Sequence, residues 1–143
     1  MTVDDEIVGA IGAGLLLLVG VERGDTPADV EALVRKVSRL RVFRNPDEPE
    51  RRPIDQSLHD AGAACLVVSQ FTLLASIKKG NRPSFTAAED PERASALCDA
   101  FADGLRADGI PVETGRFGAS MAVSLVNDGP VTLLLEARDG RVL

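Results

Sequence analysis

The chain has 143 residues, of which 45% are hydrophobic and 27% are charged. This length is typical of a single domain, and the hydrophobic content is sufficient for a packed core, which excludes a disordered protein. The formal net charge of −6 argues against general affinity for nucleic acids. We therefore expect one domain that spans residues 1–143.

The first half of the chain predicts strands and one helix. Residues 7–11 and 15–21 are apolar runs on either side of a glycine-rich turn, which indicates two short strands. Thr26 followed by Pro27 is typical of a helix start, and apolar residues recur at helical spacing up to Leu40. We expect a strand at residues 41–43, a loop at 45–53, and a short strand or turn at 54–58.

Residues 65–75 form the longest β-like apolar run, and we expect them to be the central strand. Strand alternation places Gln70 and Thr72 on an otherwise apolar face. A buried amide or hydroxyl costs about 1–3 kcal/mol unless it is paired. On one interpretation, these groups hydrogen-bond to another strand, a water or a ligand. The alternative is that this face of the strand is open to solvent.

The second half predicts another helix and three more strands. Asp90 followed by Pro91 indicates a helix start, an apolar stripe continues from Ala94 to Leu105, and Asp108 and Gly109 end the helix. Strands are predicted at residues 112–114, 121–126 and 131–137, followed by a loose tail at 138–141. The fold class is therefore α+β, with two helices and a mixed sheet curled into an open barrel-like core.

Basic residues concentrate in two places on this acidic chain. Lys78, Lys79 and Arg82 form the second cluster. The first contains seven bases between residues 35 and 52: Arg35, Lys36, Arg39, Arg41, Arg44, Arg51 and Arg52. Either cluster is compatible with binding one segment of a phosphate backbone, whereas the simpler interpretation is a solvated helix face and a solvated loop.

The cysteines and the histidine of this sequence give little indication of a catalytic or metal site. Cys65 and Cys98 lie at apolar-patterned positions, and the acidic N-terminus is unlike a secretion signal, so we expect a reducing, cytoplasmic setting. Residues 11–21 are too few to span a bilayer, and no membrane association is expected. No spacing typical of metal ligands is present, so we expect no metal and no cofactor. His59 beside a turn is more typical of a surface residue than of a catalyst.

A Gly-Pro dipeptide separates the last two predicted strands. Residues 127–132 read Asn-Asp-Gly-Pro-Val-Thr, and an ordinary turn is the simplest interpretation. A cis Gly129–Pro130 bond would instead point two neighbouring carbonyls in the same direction. The dipeptide would then present two rigid backbone acceptors with almost no side chain.

Two motifs together resemble the D-aminoacyl-tRNA deacylase family, of the D-tyrosyl-tRNA deacylase type. They are Ser-Gln-Phe-Thr-Leu at residues 69–73 and Asn-Asp-Gly-Pro-Val-Thr at 127–132. Residues 79–85 and 113–119 support the resemblance, which runs from Thr2 to about Glu136. It implies a D-tyrosyl-tRNA deacylase-like fold and a cytoplasmic homodimer. The implied reaction is hydrolysis of the ester between a D-amino acid and the terminal ribose of tRNA.

The resemblance also implies a site built across the dimer. Gly129 and Pro130, joined by a cis bond, would reach the partner's active site, whose other wall is the strand from Ser69 to Thr72. The catalytic candidates are therefore Thr72, Gln70 and Ser69. The substrate-binding candidates are Phe71, Gly129, Pro130, Phe85 and Met121, although simple core packing would equally explain Phe85 and Met121.

The residues present favour a mechanism without a covalent enzyme intermediate. A nucleophilic Thr72 would need an activating base, and no Ser-His-Asp or Cys-His arrangement is apparent. We expect water to attack, with backbone N–H groups around Phe71 and Thr72 as oxyanion donors and the vicinal ribose hydroxyl assisting. Carbonyls of Gly129 and Pro130 would exclude L side chains. Glycyl-tRNA, including glycine mischarged on tRNA(Ala), is then an expected substrate.

One departure from the family concerns the start of the chain. Family members begin with an additional strand that contains Gln-Arg-Val, and Met1 to Val3 falls where that strand ends. We expect the natural start to lie upstream, an internal valine codon having been read as the initiator, and the present chain to be less stable or impaired. The alternative functions are a catalytically inactive tRNA- or partner-binding dimer and a general esterase of the same fold.

Overall fold

The computed structural model describes residues 1–48, 50 and 54–143. Arg51 and Arg52 of the first basic cluster, and part of the predicted loop at 45–53, lie outside the described residues. The elements in chain order are β1 (Thr2–Val3), β2 (Glu6–Ile7), β3 (Gly14–Val19), α1 (Pro27–Arg39), α2 (Leu58–Ala61), β4 (Ala64–Ser69), a 3₁₀ helix (Phe71–Leu74), α3 (Pro91–Ala107), β5 (Val112–Thr114), β6 (Ala137–Arg138) and β7 (Arg141–Val142).

The centre of the fold is a parallel sheet of order β3-β4-β5. Its registers pair Val19 with Ser69, and Val67 with Thr114. Because the three strands run in the same direction, they all end at one side of the sheet. We call that side the carboxyl edge (Val19, Ser69 and Thr114) and the opposite side the amino edge (Gly14, Ala64 and Val112).

Both long helices form where the capping patterns predict them. Helix α1 follows the N-cap Thr26, and α3 follows the N-cap Asp90, each with a proline in the first turn. The helices pack on one face of the sheet, and Gly104 lets them approach closely, because a Cβ there would lie 2.8 Å from a methyl of Val34. The shared core contains Val37, Leu58, Ala63, Cys65, Val67, Phe101, Ala102, Leu105, Ile110 and Val112.

Helix α1 carries the chain from one edge of the sheet to the other. It starts soon after β3 leaves the carboxyl edge, and its 13 residues rise about 20 Å. Near its end, Val37 packs with Leu58 of α2, the short helix that precedes β4. The end of α1 and all of α2 therefore lie at the amino edge.

The central strand is shorter than the sequence predicts. Residues 65–75 were expected to be one strand, but β4 ends at Ser69 and Phe71–Leu74 form a 3₁₀ helix. The Gln70 N–H still donates to the carbonyl of Val19 at 2.8 Å, after which β3 offers no further ladder partner. Gly20 permits the turn, since a Cβ there would lie 2.5 Å from Leu74 Cδ2.

The C-terminal tail at residues 138–141 is ordered, so the prediction of a loose tail was wrong. Strands β6 and β7 form an antiparallel hairpin that contacts α1. The Gly140 N–H donates to Oδ1 of the buried Asp29 at 2.8 Å, and Arg138 pairs with Glu22 at 3.4 Å. These partners lie far away in the sequence, which is why local composition did not indicate the hairpin.

Several other predicted strands form only in part. Of residues 7–11 only Ile7 is in a strand, and residues 41–43 contribute a single bridge between Phe43 and Gln56. Residues 121–126 and 131–137 form no ladder along their length, apart from a bridge from Ala122 to Thr2 and the start of β6. A strand needs a partner, and among the described residues this apolar stretch has none, which leaves Val126 91% and Leu134 80% exposed.

The α+β class is confirmed, with parallel and antiparallel strands in separate sheets. No barrel is closed by the strands of the described ranges. Within the same ranges, every helix is too short or too polar to cross a membrane.

Candidate active site

Gln70 and Thr72, the two polar residues of the central run, meet each other at the carboxyl edge. The Gln70 amide donates a hydrogen bond to the Thr72 hydroxyl. Thr72 is exposed, in the first turn of the 3₁₀ helix. Because its oxygen accepts from Gln70, the Thr72 hydroxyl can turn its own proton outward, toward a bound molecule.

Two adjacent backbone N–H groups of the same turn have no partner among the described residues. The turn is closed by bonds from the Leu73 N–H to the Gln70 carbonyl at 3.2 Å and from the Ala75 N–H to the Thr72 carbonyl at 3.1 Å. The N–H groups of Phe71 and Thr72 precede the first of these bonds, and neither donates to another group in the part of the chain that the structure describes. The arrangement can therefore stabilise a developing oxyanion.

Two aromatic side chains border this turn, and Met121 lies at the same edge of the sheet. The rings of Phe71 and Phe85 pack edge to face with centroids 5.0 Å apart, and both remain partly exposed. Met121 lies near the end of β5, where its sulfur is 2.9 Å from the position of a Cβ on Gly115. The carboxyl edge thus brings four predicted residues together, Gln70, Phe71, Thr72 and Phe85, and places Met121 at the same edge.

Ser69 faces the interior rather than the turn. Burial raises the pKa of the Cys98 thiol on α3, and a hydrogen bond with the Ser69 hydroxyl offsets part of that effect. Burial also raises the pKa of Cys65 to about 11. Both thiols are therefore protonated at neutral pH, and neither is a candidate nucleophile. The catalytic role of Ser69 stays a prediction.

Gly129 and Pro130 lie in an exposed turn, and the peptide bond between them is cis. Asn127 closes this turn, because its side-chain oxygen accepts from the Val131 N–H at 3.1 Å and its amide donates to Thr132 at 2.9 Å. Gly129 has a φ of +138°, which favours glycine. No hydrogen bond between described residues joins this turn to Gln70 or Thr72.

His59 belongs to the opposite edge of the sheet. It lies in α2, before β4, with its Nε2 at 4.0 Å from a carboxylate oxygen of Asp108. Thr72 follows the other end of β4, and a strand of six residues spans about 20 Å. His59 therefore cannot act as a base for Thr72.

Gly20 is the residue of this site that sequence reasoning missed. Its α-carbon lies close to the turn. A Cβ on Gly20 would come within 3.3 Å of atoms of Leu74, of Leu73 and of the Gln70 carbonyl. A glycine that interrupts an apolar strand often marks the close approach of another backbone, and this rule would have identified it. Within the described ranges, no three His, Cys, Asp or Glu side chains are grouped as metal ligands would be.

The chain is similar in sequence to a family of tRNA deacylases and to several of its members. Residues 1–136 match the family described as D-Tyr-tRNA(Tyr) deacylase. A D-aminoacyl-tRNA deacylase of Chloroflexus aurantiacus is 54% identical over 142 residues, which are 99% of this chain and 86% of that protein. A D-aminoacyl-tRNA deacylase of Thermomicrobium roseum is 53% identical over 141 residues, which are 99% of this chain and 89% of that protein.

Two solved structures are similar as well. The c-Myc DNA Unwinding Element Binding Protein has a TM-score of 0.85 at 38% identity, over 96% of this chain and 91% of that one. A probable eukaryotic D-amino acid tRNA deacylase has a TM-score of 0.60 at 21% identity, over 77% of each chain, and is a likeness of fold alone.

Proposed function

The chain belongs to the D-Tyr-tRNA(Tyr) deacylase family, and on that premise we propose how its carboxyl edge hydrolyses D-aminoacyl-tRNA. The family membership makes the chain a hydrolase of aminoacyl-tRNA esters. The products are free tRNA and a free D-amino acid. The proposal concerns which groups polarise the ester, which groups hold it, and how the L-enantiomer is rejected.

The free N–H groups of Phe71 and Thr72 are the observation that carries this mechanism. They are adjacent, unpaired within the described chain, and next to the Thr72 hydroxyl. Placed on the ester carbonyl, they would stabilise the negative charge that develops on its oxygen during attack. Removing one such donor from an enzyme typically costs about 10²–10³ in kcat, so two donors account for a large part of a hydrolase's rate.

Water, rather than Thr72, is the nucleophile in this proposal. A threonine hydroxyl needs a base to take its proton. Gln70 donates to Thr72 instead of accepting from it, and His59 lies at the other edge of the sheet. Thr72 therefore positions the ester, with Gln70 orienting its hydroxyl. The vicinal hydroxyl of the terminal ribose assists the attacking water.

The partly exposed rings of Phe71 and Phe85 are proposed to hold the substrate next to these donors. Their edge-to-face packing fixes both rings, so binding loses little side-chain freedom. Met121 at the same edge completes this apolar wall.

Selection of the D-enantiomer is assigned to Gly129 and Pro130 of a second protomer. Their exposed carbonyls would bind the substrate ammonium and crowd the side of Cα on which an L side chain projects. The apolar stretch around this turn supports a homodimer, because exposure of Leu125, Val126, Leu133 and Leu134 is costly in a monomer. Glycyl-tRNA, including tRNA(Ala) mischarged with glycine, has no side chain to reject and is a further substrate.

Deacylation of D- and L-tyrosyl-tRNA by wild type, Thr72→Ala and Thr72→Ser tests this mechanism. We expect the wild type to hydrolyse only the D-ester. Loss of one positioning hydrogen bond should lower kcat/KM of Thr72→Ala by no more than about tenfold. Thr72→Ser keeps the hydroxyl and should retain the wild-type rate.

Other outcomes would contradict specific parts of the proposal. Abolished turnover in Thr72→Ala with unchanged tRNA binding would make Thr72 the nucleophile. Equal hydrolysis of both enantiomers would overturn selection by Gly129 and Pro130. Hydrolysis of neither by the wild type, with tRNA still bound, would instead indicate an inactive tRNA-binding protein.

A further inference from the structure

A basic loop next to the proposed site takes no part in the mechanism above. Residues 77–83 form this loop, which is closed by two hydrogen bonds between Ser76 and Ser84, at 2.7 and 2.9 Å. It carries Lys78, Lys79 and Arg82, and all three are exposed. No acidic residue occurs between residues 76 and 88, although the whole chain has a net charge of −6.

The loop is attached directly to the aromatic wall of the site. Phe85 follows the closing residue Ser84, and its ring packs on Phe71, the neighbour of Thr72. Each arm of the loop has about three residues and extends at most about 10 Å from its base. If the ester is bound at Thr72, the nucleotides next to it in the tRNA would therefore be long enough to reach the three cations.

These three cations have no partner among the described residues. Several arginines elsewhere are paired with carboxylates, as Arg41 is with Asp55 at 2.6 Å, Arg93 with Glu89 at 3.3 Å and Arg138 with Glu22 at 3.4 Å. Lys78, Lys79 and Arg82 are in no such pair within the described residues. Three unneutralised charges in one short loop create a local positive potential on an acidic surface.

We infer that the loop at residues 77–83 binds the phosphates of the unpaired 3′ end of the tRNA. This inference rests on the proposed function, which fixes where the terminal ribose lies. The loop would neutralise the backbone phosphates that lead away from the ester, while the aromatic pair holds the terminal nucleoside. Such contacts position the substrate without reading its sequence.

The chain provides a charge-matched control at the amino edge. Lys36, Arg39 and Arg44 are exposed and also lack a partner in the described structure. They lie in the last turn of α1 or beyond its end, and the 13 residues of that helix separate its two ends by about 20 Å. A triple variant there removes the same charge from the protein as a triple variant of the loop.

The experiment measures the affinity for deacylated tRNA and kcat/KM on D-tyrosyl-tRNA between about 50 and 300 mM salt. In the variant Lys78→Ala/Lys79→Ala/Arg82→Ala we expect the magnitude of the slope of log K against log salt to fall by about 2, or about 0.7 for each phosphate that the loop no longer neutralises. The affinity at 100 mM salt should then fall by up to about 100-fold. The variant Lys36→Ala/Arg39→Ala/Arg44→Ala should keep the wild-type slope.

D-tyrosyl-adenosine, which has an ester but no phosphate, separates this inference from the proposed function. The difference between the loop variant and the wild type should disappear on this substrate. A loss that persists on it, an unchanged slope, or an equal fall in both triple variants would each overturn the loop inference. Failure of the wild type to hydrolyse either D-ester would overturn the proposed function, whereas the tRNA affinities would still decide the role of the loop.

Discussion

The two edges of the parallel sheet differ in how their polar groups are used. At the amino edge, the backbone N–H groups that start α2 are paired: the Ser57 N–H donates to Asp60 at 3.1 Å and the Asp60 N–H donates to Ser57 at 3.2 Å. At the carboxyl edge, the N–H groups of Phe71 and Thr72 find no partner in the described chain. The two free N–H groups are therefore the basis on which the proposed function assigns the substrate to the carboxyl edge.

The packing around Gly20 holds the turn that contains the two free N–H groups, so substitution of Gly20 should have the largest effect. A Cβ in Gly20→Ala would lie 2.5 Å from Leu74 Cδ2 and 3.1 Å from Leu73 Cβ, so the Leu74 side chain would have to rotate and the 3₁₀ helix would have to shift by a few tenths of an ångström. A displacement of about 1 Å in a catalytic group can cost about 100-fold, and for this smaller shift we expect kcat/KM to fall by about tenfold. Steady-state deacylation of D-tyrosyl-tRNA measures it.

Gly12→Ala is the matched control for Gly20→Ala. A Cβ at Gly12 has no atom within 4 Å, so kcat/KM should stay at the wild-type value. Equal activity of both variants would show that the position of the turn does not control catalysis.

Asp29 is a polar group near the carboxyl edge whose hydrogen bonds are made within the protein. Its carboxylate accepts from the N–H of Thr26 at 2.9 Å and of Gly140 at 2.8 Å. In Asp29→Asn an amide N–H would face one of these donors, and we expect a loss of about 1–3 kcal/mol of unfolding free energy. Urea denaturation at pH 7 measures this change, while kcat/KM should be unchanged.

The pH dependence of that loss has a defined sign. The backbone hydrogen bonds hold the pKa of Asp29 below its ordinary value of 3.8. The ionised carboxylate therefore stabilises the fold at pH values above 3.8, and this stability is lost as the pH falls through the lower pKa of the folded protein. The gap between wild type and Asp29→Asn should close in acid. Burial raises the pKa of Asp25, so Asp25→Asn is a control with the opposite pH trend.

His59 tests the amino edge and should give the smallest effect. Because this side chain lies about 20 Å from Thr72 along β4, His59→Ala should keep kcat/KM within about twofold of the wild type. Its pH–rate profile should also match that of the wild type. A loss above about tenfold would show that His59 takes part in catalysis.

The sequence by itself determined the features that depend on neighbouring residues. Thr26-Pro27 and Asp90-Pro91 start the two long helices, because capping acts within one turn. The apolar stripe of α3 is the face that is buried. The family was recognisable because the motifs around Thr72 and Pro130 are short and contiguous.

Only the tertiary structure decided where strands end and which groups stay unpaired. The central strand stops at Ser69 because its ladder partner β3 turns away at Gly20, and the C-terminal hairpin is held by Asp29 from far along the sequence. The tertiary structure also separated two basic clusters that look alike in the sequence. It places Lys78 near the candidate site and Lys36 toward the opposite edge. Hydrogen-bond partners of strands and loops come from distant residues, and local periodicity carries no information about them.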